Sequence, residues 1–216
     1  MSVATAAMPA LRRFAFLLVV ALTWLCAAVS AQAADVTVVV TDGGGRPVAD
    51  AVVIADIAGQ AAPAPHEVVI NQHDMVFAPF VTVVPVGSTV SFTNLDPFRH
   101  HVYSFSPTRR FEIKLFGQGE RRSVRFDKPG LVAVGCNIHD QMQAFIRVVD
   151  TPFARKTDAA GRLTLRGLPN GATRVRVWHP YLRAPGNEMV VAVPAGATSL
   201  PVSLRLRRPA PMQHGY

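Results

Sequence analysis

Apolar and polar positions alternate with a period of two over most of this chain, which is the pattern of half-buried strands. Val36, Val38 and Val40 alternate, Asp42-Gly43-Gly44-Gly45 turns, and Val48 to Ile54 resumes, so residues 35–57 read as strand, turn, strand. Gly59 to Pro65 is an Ala/Pro-rich linker. A second block follows from His66 to Asp150, with strands expected at 81–84, 89–93, 102–105, 123–126, 131–135 and 144–149. Pro85–Ser88 and Lys128-Pro129-Gly130 supply turns between them. After Thr151-Pro152 the pattern changes again. Leu163-Thr164-Leu165, Thr173–Trp178, Val190–Val193 and Leu200–Leu206 are expected strands, with a Leu168-Pro169-Asn170-Gly171 turn among them. No amphipathic helix is visible after the N-terminal segment, so the fold class is all-β.

The first residues differ in kind. Arg12-Arg13 precedes the apolar run Phe14 to Leu22, and Ala31-Gln32-Ala33 offers a small-residue cleavage site. A charged start, an apolar middle and an A-x-A end predict an export signal over 1–33. The apolar run is short for a bilayer span, so a stable membrane span is not expected after cleavage. Cys26 follows Leu25, which does not fit a lipid-attachment site. The expected location is periplasmic.

Composition adds a core and a charge. Half of the 216 residues are apolar, and seventeen prolines and fifteen glycines suit many turns between short strands. Losing Arg12 and Arg13 lowers the formal net charge from +8 to +6. Arg121, Arg122, Arg125, Arg174, Arg176, Arg205, Arg207 and Arg208 mostly alternate with apolar residues, as on the outward faces of strands. No basic run interleaves with aromatics, so nucleic acid is not an expected partner. Spread positive charge suits encounters with an acidic protein.

The candidate chemistry lies in Gly135-Cys136-Asn137-Ile138-His139-Asp140-Gln141-Met142. Removing 1–33 takes Cys26 away and leaves Cys136 without a disulfide partner. A lone thiol in an exported protein needs a use, and metal ligation is one. Thiolate, imidazole and thioether together select copper, or less often zinc. Cys136, His139 and Met142 supply three such groups on one loop. A second imidazole must come from His100 or His101, next to the expected strand 102–105. Two histidines, one cysteine and a weak axial methionine make a blue-copper electron-transfer site. Zinc more often takes cysteines and histidines in pairs, and no second cysteine is available. His66 and His73 read as solvated and His179 as structural. His214 with Met212 lies on an Arg/Pro-rich tail. No nucleophile–base–acid arrangement suggests hydrolysis.

These residues also carry a family resemblance. "FTNLDPFRHHVYSF" and "FDKPGLVAVGCNIHDQM" resemble the cupredoxins, including plastocyanin and amicyanin. The C-x2-H-x2-M spacing is similar to the short-loop amicyanin form, and "MVFAPFVTVVPVGSTVSFTN" to the family's opening hairpin. Within that family the chain is most similar to proteins labelled as methylamine-utilisation proteins. The resemblance implies a Greek-key sandwich over 66–150 holding one copper ion on His100, Cys136, His139 and Met142. His101 then takes the place of the loop-bracing asparagine and is the reserve ligand. Pleating sends His100 and His101 to opposite faces, so one of them faces the metal. The family's electron exit is the edge of the loop histidine, here His139, with Pro97, Phe98 and Phe80 as candidates for the apolar surface around it. Partners so implied are periplasmic redox proteins, a dehydrogenase or a c-type cytochrome. A copper chaperone or sensor would use the same ligands.

The flanking pieces "VTVVVTDGGGRPVADAVVI" and "TDAAGRLTLRGLPNGATRVRVWHP" together resemble the carboxypeptidase-regulatory, transthyretin-like sandwich. The expected organisation is an export signal (1–33), half of that sandwich (34–62), the copper domain (66–150), the other half (151–207) and a flexible tail (208–216).

Overall fold

The computed structural model describes residues 33–169 and 174–207. Residues 1–32 of the expected export signal, the expected turn at 170–171 and the 208–216 tail with Met212 and His214 lie outside the described residues. Among the described residues, no helix is long and apolar enough to cross a membrane.

In chain order the strands are β1 (Ala33–Asp42), β2 (Val52–Ile54), β3 (Glu67–His73), β4 (Val76–Ala78), β5 (Val81–Pro85), β6 (Ser88–Asn94), β7 (His100–Ser104) and β8 (Phe111–Phe116). They continue with β9 (Arg121–Phe126), β10 (Gly130–Gly135), β11 (Gln143–Val149), β12 (Ala154–Lys156), β13 (Arg162–Pro169), β14 (Arg174–Trp178), β15 (Glu188–Ala192) and β16 (Ser199–Leu204). The chain is all-β, as expected. The described strands form four sheets, ordered β13-β1-β16, β12-β2-β14-β15, β4-β3-β6-β9 and β5-β11-β10-β7-β8.

The last two sheets make a Greek-key sandwich. The chain passes between them at β4–β5, β5–β6, β6–β7, β8–β9 and β9–β10, and these crossings leave β3 parallel to β6 and β5 parallel to β11. Alternation decides what faces inward. Val90 and Phe92 of β6, Val124 and Phe126 of β9, Val132 and Val134 of β10, and Ala144, Ile146 and Val148 of β11 form one buried core.

The first two sheets enclose a separate core. Val36, Val38 and Val40 of β1 pack with Val53, Leu163, Leu165, Val175, Val177, Leu200 and Val202. Strands from both sides of the Greek-key segment thus complete one second sandwich. The chain leaves and re-enters it at adjoining points, where Ala55 N–H donates to Phe153 O at 2.8 Å and Thr151 Oγ1 to Ala55 O at 3.0 Å.

A third cluster joins the two sandwiches. Val52, Ile54, Ala154 and Trp178 of one pack against Val81 and Val149 of the other, with Phe80 and Phe145 alongside. Trp178 is fully buried and meets the Phe145 ring edge-on at 5.7 Å. Arg147 on β11 donates to Glu188 of β15 at 2.8 Å, and Glu188 also takes Arg176, whose Nη2 donates to Asp56 at 2.7 Å. Burial pulls the Arg147 guanidinium below its ordinary value, opposed by Glu188.

His100 and His101 open β7, at the start of a strand as expected, and the pairing with β8 shifts register between His100 and Val102. Other details differ from the sequence expectation. β8 was not expected; its burial alternates from Phe111 to Lys114 and slips at the end, where Leu115 is exposed and Phe116 buried. Phe80 was expected beside His139 but packs on Phe145 at 5.4 Å and Tyr181 at 6.0 Å, at the junction. The parallel pairing of Val81 with Phe145 places it there.

Candidate metal centre

Three inward rows of side chains end at one point. Val132 and Val134 carry the inward phase of β10 to Cys136, one step past the strand. Ala144 and Ile146 carry that of β11 back to Met142. Val102 and Ser104 of β7 share their phase with His100. Period-two pleating therefore points Cys136, Met142 and His100 into the same end of the core. Cys136, Met142 and His100 are 3%, 1% and 0% exposed, so none meets bulk water.

The β10–β11 connection brings in the fourth group. Met142 N–H donates to His139 O at 2.9 Å, and Cys136 N–H to Met142 O at 3.3 Å. These bonds close a tight loop and turn His139 over its mouth, where it is half-buried. The ligand atoms of His100, Cys136 and His139 all lie within 4.8 Å of one another. His100 Nδ1 is 3.9 Å from Cys136 Sγ, and the two imidazole rings are 5.1 Å apart.

The hydrogen bonding leaves these donors aimed at a cation. His139 Nδ1 is buried and has no partner among the described residues. Burial, and then the neighbouring His100, push the His139 imidazole below its ordinary range, against an upward pull from Asp96. A neutral imidazole keeps the lone pair that a metal needs. His100 uses its other nitrogen: Nε2 is 2.7 Å from Asp96 Oδ2. A buried thiol, two imidazoles and a thioether suit one copper ion.

His101 turns the opposite way. Its Nε2 lies 3.0 Å from Glu112 Oε1 on β8, and its ring is 5.8 Å from Tyr103. It makes no hydrogen bond to residues 136–142 among those described, so the loop-bracing part expected of it is not seen. The Cys136–Met142 and Met142–His139 backbone bonds do that bracing. Exposed Phe98, beside His100 at 5.1 Å and His139 at 5.6 Å, lies where an apolar rim was expected, and exposed Ile138 adjoins His139.

Two side chains escaped the sequence reading. Asp96 is 3% exposed and accepts from the backbone N–H groups of Asp74 at 2.7 Å and Met75 at 3.1 Å. Asn94 holds the intervening segment, donating to Phe98 O at 2.7 Å and Phe116 O at 3.0 Å and accepting from Asp96 N–H at 2.9 Å. The spacing Asn94-x-Asp96-x-x-x-His100 was the available signal. His73, Asp74 and Asp96 also cluster. His73 and Asp74 are exposed and the Asp96 oxygens are engaged already, so this group supports the centre from outside.

No protein-family model matches the chain, and no curated protein matches it. Solved structures do. One is a copper-containing nitrite reductase from Thermus scotoductus, 30% identical, with a TM-score of 0.38, covering 52% of this chain and 28% of that one. Another is a reduced Cu(I) form of an amicyanin variant, 20% identical, TM-score 0.37, covering 38% of this chain and 82% of that one. An oxidised amicyanin variant is 18% identical, TM-score 0.37, over 46% of this chain and 99% of that one. The chain thus spans about a quarter of the nitrite reductase and most of the amicyanins.

Proposed function

We propose that this chain is an exported cupredoxin-type copper protein that carries single electrons between redox partners. The observation that carries this reading is the convergence of Cys136, His100 and His139 in a buried pocket, with Met142 on the adjoining strand end. Bound copper would supply a one-electron Cu(II)/Cu(I) couple.

The protein's own part is to hold and isolate the ligands. Cys136 provides the thiolate and His100 and His139 the Nδ1 lone pairs, with Met142 as the weak fourth donor. Both strand rows and the closed loop resist movement of these groups, so little rearrangement accompanies a change of charge. The set leaves no ligand position for a substrate, which favours a carrier over an enzyme. Half-buried His139, edged by exposed Phe98 and Ile138, is the exit to a partner. That partner is a periplasmic dehydrogenase or c-type cytochrome, in keeping with the methylamine-utilisation type of cupredoxin that the sequence resembles.

Voltammetry of the copper-loaded protein tests the carrier role. Fast, reversible one-electron waves are expected. Tight Cu(I) binding with no stable Cu(II) form would instead assign the chain as a copper chaperone or sensor.

A further inference from the structure

The Asp96 carboxylate bonds the His100 nitrogen that faces away from Cys136, and its surroundings leave it little freedom. Its side chain is 4% exposed. Oδ1 accepts from Asp74 N–H at 2.7 Å, and Oδ2 from Met75 N–H at 3.1 Å. Both donors sit at the tip of the β3–β4 hairpin, where Asp74 and Met75 have φ of 53° and 58°. That left-handed pair turns two consecutive N–H groups onto the acid. Asp96 N–H is itself tied to Asn94 Oδ1.

Backbone N–H groups can only donate, so they select the ionised acid. An ionised carboxylate accepts only. The 2.7 Å contact from His100 Nε2 to Oδ2 therefore needs the imidazole proton on Nε2. In the neutral ring that leaves the lone pair on Nδ1, which faces Cys136 Sγ.

We propose that Asp96 is a positioning residue of the metal centre: it locks His100 in the Nε2–H tautomer and sets a buried negative charge behind that ligand, favouring the oxidised state of the site. This rests on the copper reading above. A fixed anion stabilises the more positive metal state, and low solvent access keeps its field from being screened. The same carboxylate ties the buried ligand to a surface hairpin tip.

The test has two readouts on the full chain. In the metal-free protein, nitrogen-15 NMR of the imidazoles is expected to show His100 as the Nε2–H tautomer alone. Asp96→Asn is expected to mix the tautomers. In the copper-loaded protein, Asp96→Asn is expected to shift the Cu(II)/Cu(I) equilibrium at least tenfold toward the reduced state, about 59 mV for one electron. Asp96→Glu keeps the charge and is expected to stay within that tenfold of wild type, which covers an asparagine variant that fails to fold. A His100 found as the Nδ1–H tautomer in wild type overturns the proposal. So does an Asp96→Asn protein with its copper spectrum intact and its potential unmoved. Failure of the copper reading would be seen separately, in the wild-type spectrum, and the tautomer readout would still decide the part played by Asp96.

Discussion

Trp178→Ala probes whether the two sandwiches are one mechanical body. Trp178 is fully buried, and its ring lies edge-on against Phe145. Phe145 is on β11, whose first residue follows Met142 directly, so the junction and the metal loop share a strand. Emptying a fully buried large aromatic site costs about 3–5 kcal/mol, against a total of about 5–15 kcal/mol for an ordinary domain. With a urea slope of about 1–3 kcal/mol per molar, the midpoint should fall by about 2 M. Trp178→Phe is the control. It keeps a ring on Phe145 and removes an indole N–H that has no partner among the described residues. Its cost should be roughly half or less, because an orphaned donor is lost with the volume. Far-UV circular dichroism of the metal-free protein follows both variants through urea. If Trp178→Ala moved the midpoint by less than about 0.3 M, the packed junction inferred here would be wrong.

Three further outcomes follow from particular residues. His100→Gly should abolish the thiolate-to-copper visible band while His101→Gln keeps it, because His101 faces Glu112; the reverse pattern would exchange the two assignments. Gly161→Ala should cost about 1–3 kcal/mol or more in a thermal melt, since Gly161 has φ of +70° and an added Cβ would lie 2.4 Å from Val40 O, in backbone that cannot yield cheaply. His179 is buried, which lowers its pKa, with an opposing pull from Asp50. Its folded pKa lies below its unfolded value near 6.5, so the unfolded chain binds the proton first. Stability should be level above that pH and fall as the pH drops through it towards the folded value, and His179→Gln should flatten that slope in denaturant titrations.

Much of the centre was legible because it follows from local rules. Alternation along Val132, Val134 and Cys136, and again along Met142, Ala144 and Ile146, is written in the sequence and fixes which way the sulfurs point. The same rule separates His100 from His101. What escaped depends on pairing between distant segments. Asp96 becomes a buried acceptor only because β3 and β4 meet in a hairpin whose tip supplies two N–H groups, and the Asn94-x-Asp96-x-x-x-His100 spacing does not show where that tip lies. Phe80 lies next to a strand that could face either way, and its parallel partner β11 decided the side. β8 was missed although Phe111, Ile113 and Leu115 alternate with Glu112 and Lys114; the residues between Ser106 and Phe111 carry no glycine turn to set it off as a strand of its own. The register shift between β7 and β8, at His100 to Val102, has no local signature.

In the proposed function Cys136, with two imidazoles, holds copper as a thiolate complex. The visible absorption spectrum of the Cu(II)-loaded protein, taken beside Cys136→Ala, tests it most directly. An intense thiolate-to-Cu(II) band is expected in the wild type and is expected to be absent from the variant. A spectrum with only weak bands, unchanged by Cys136→Ala, would contradict it.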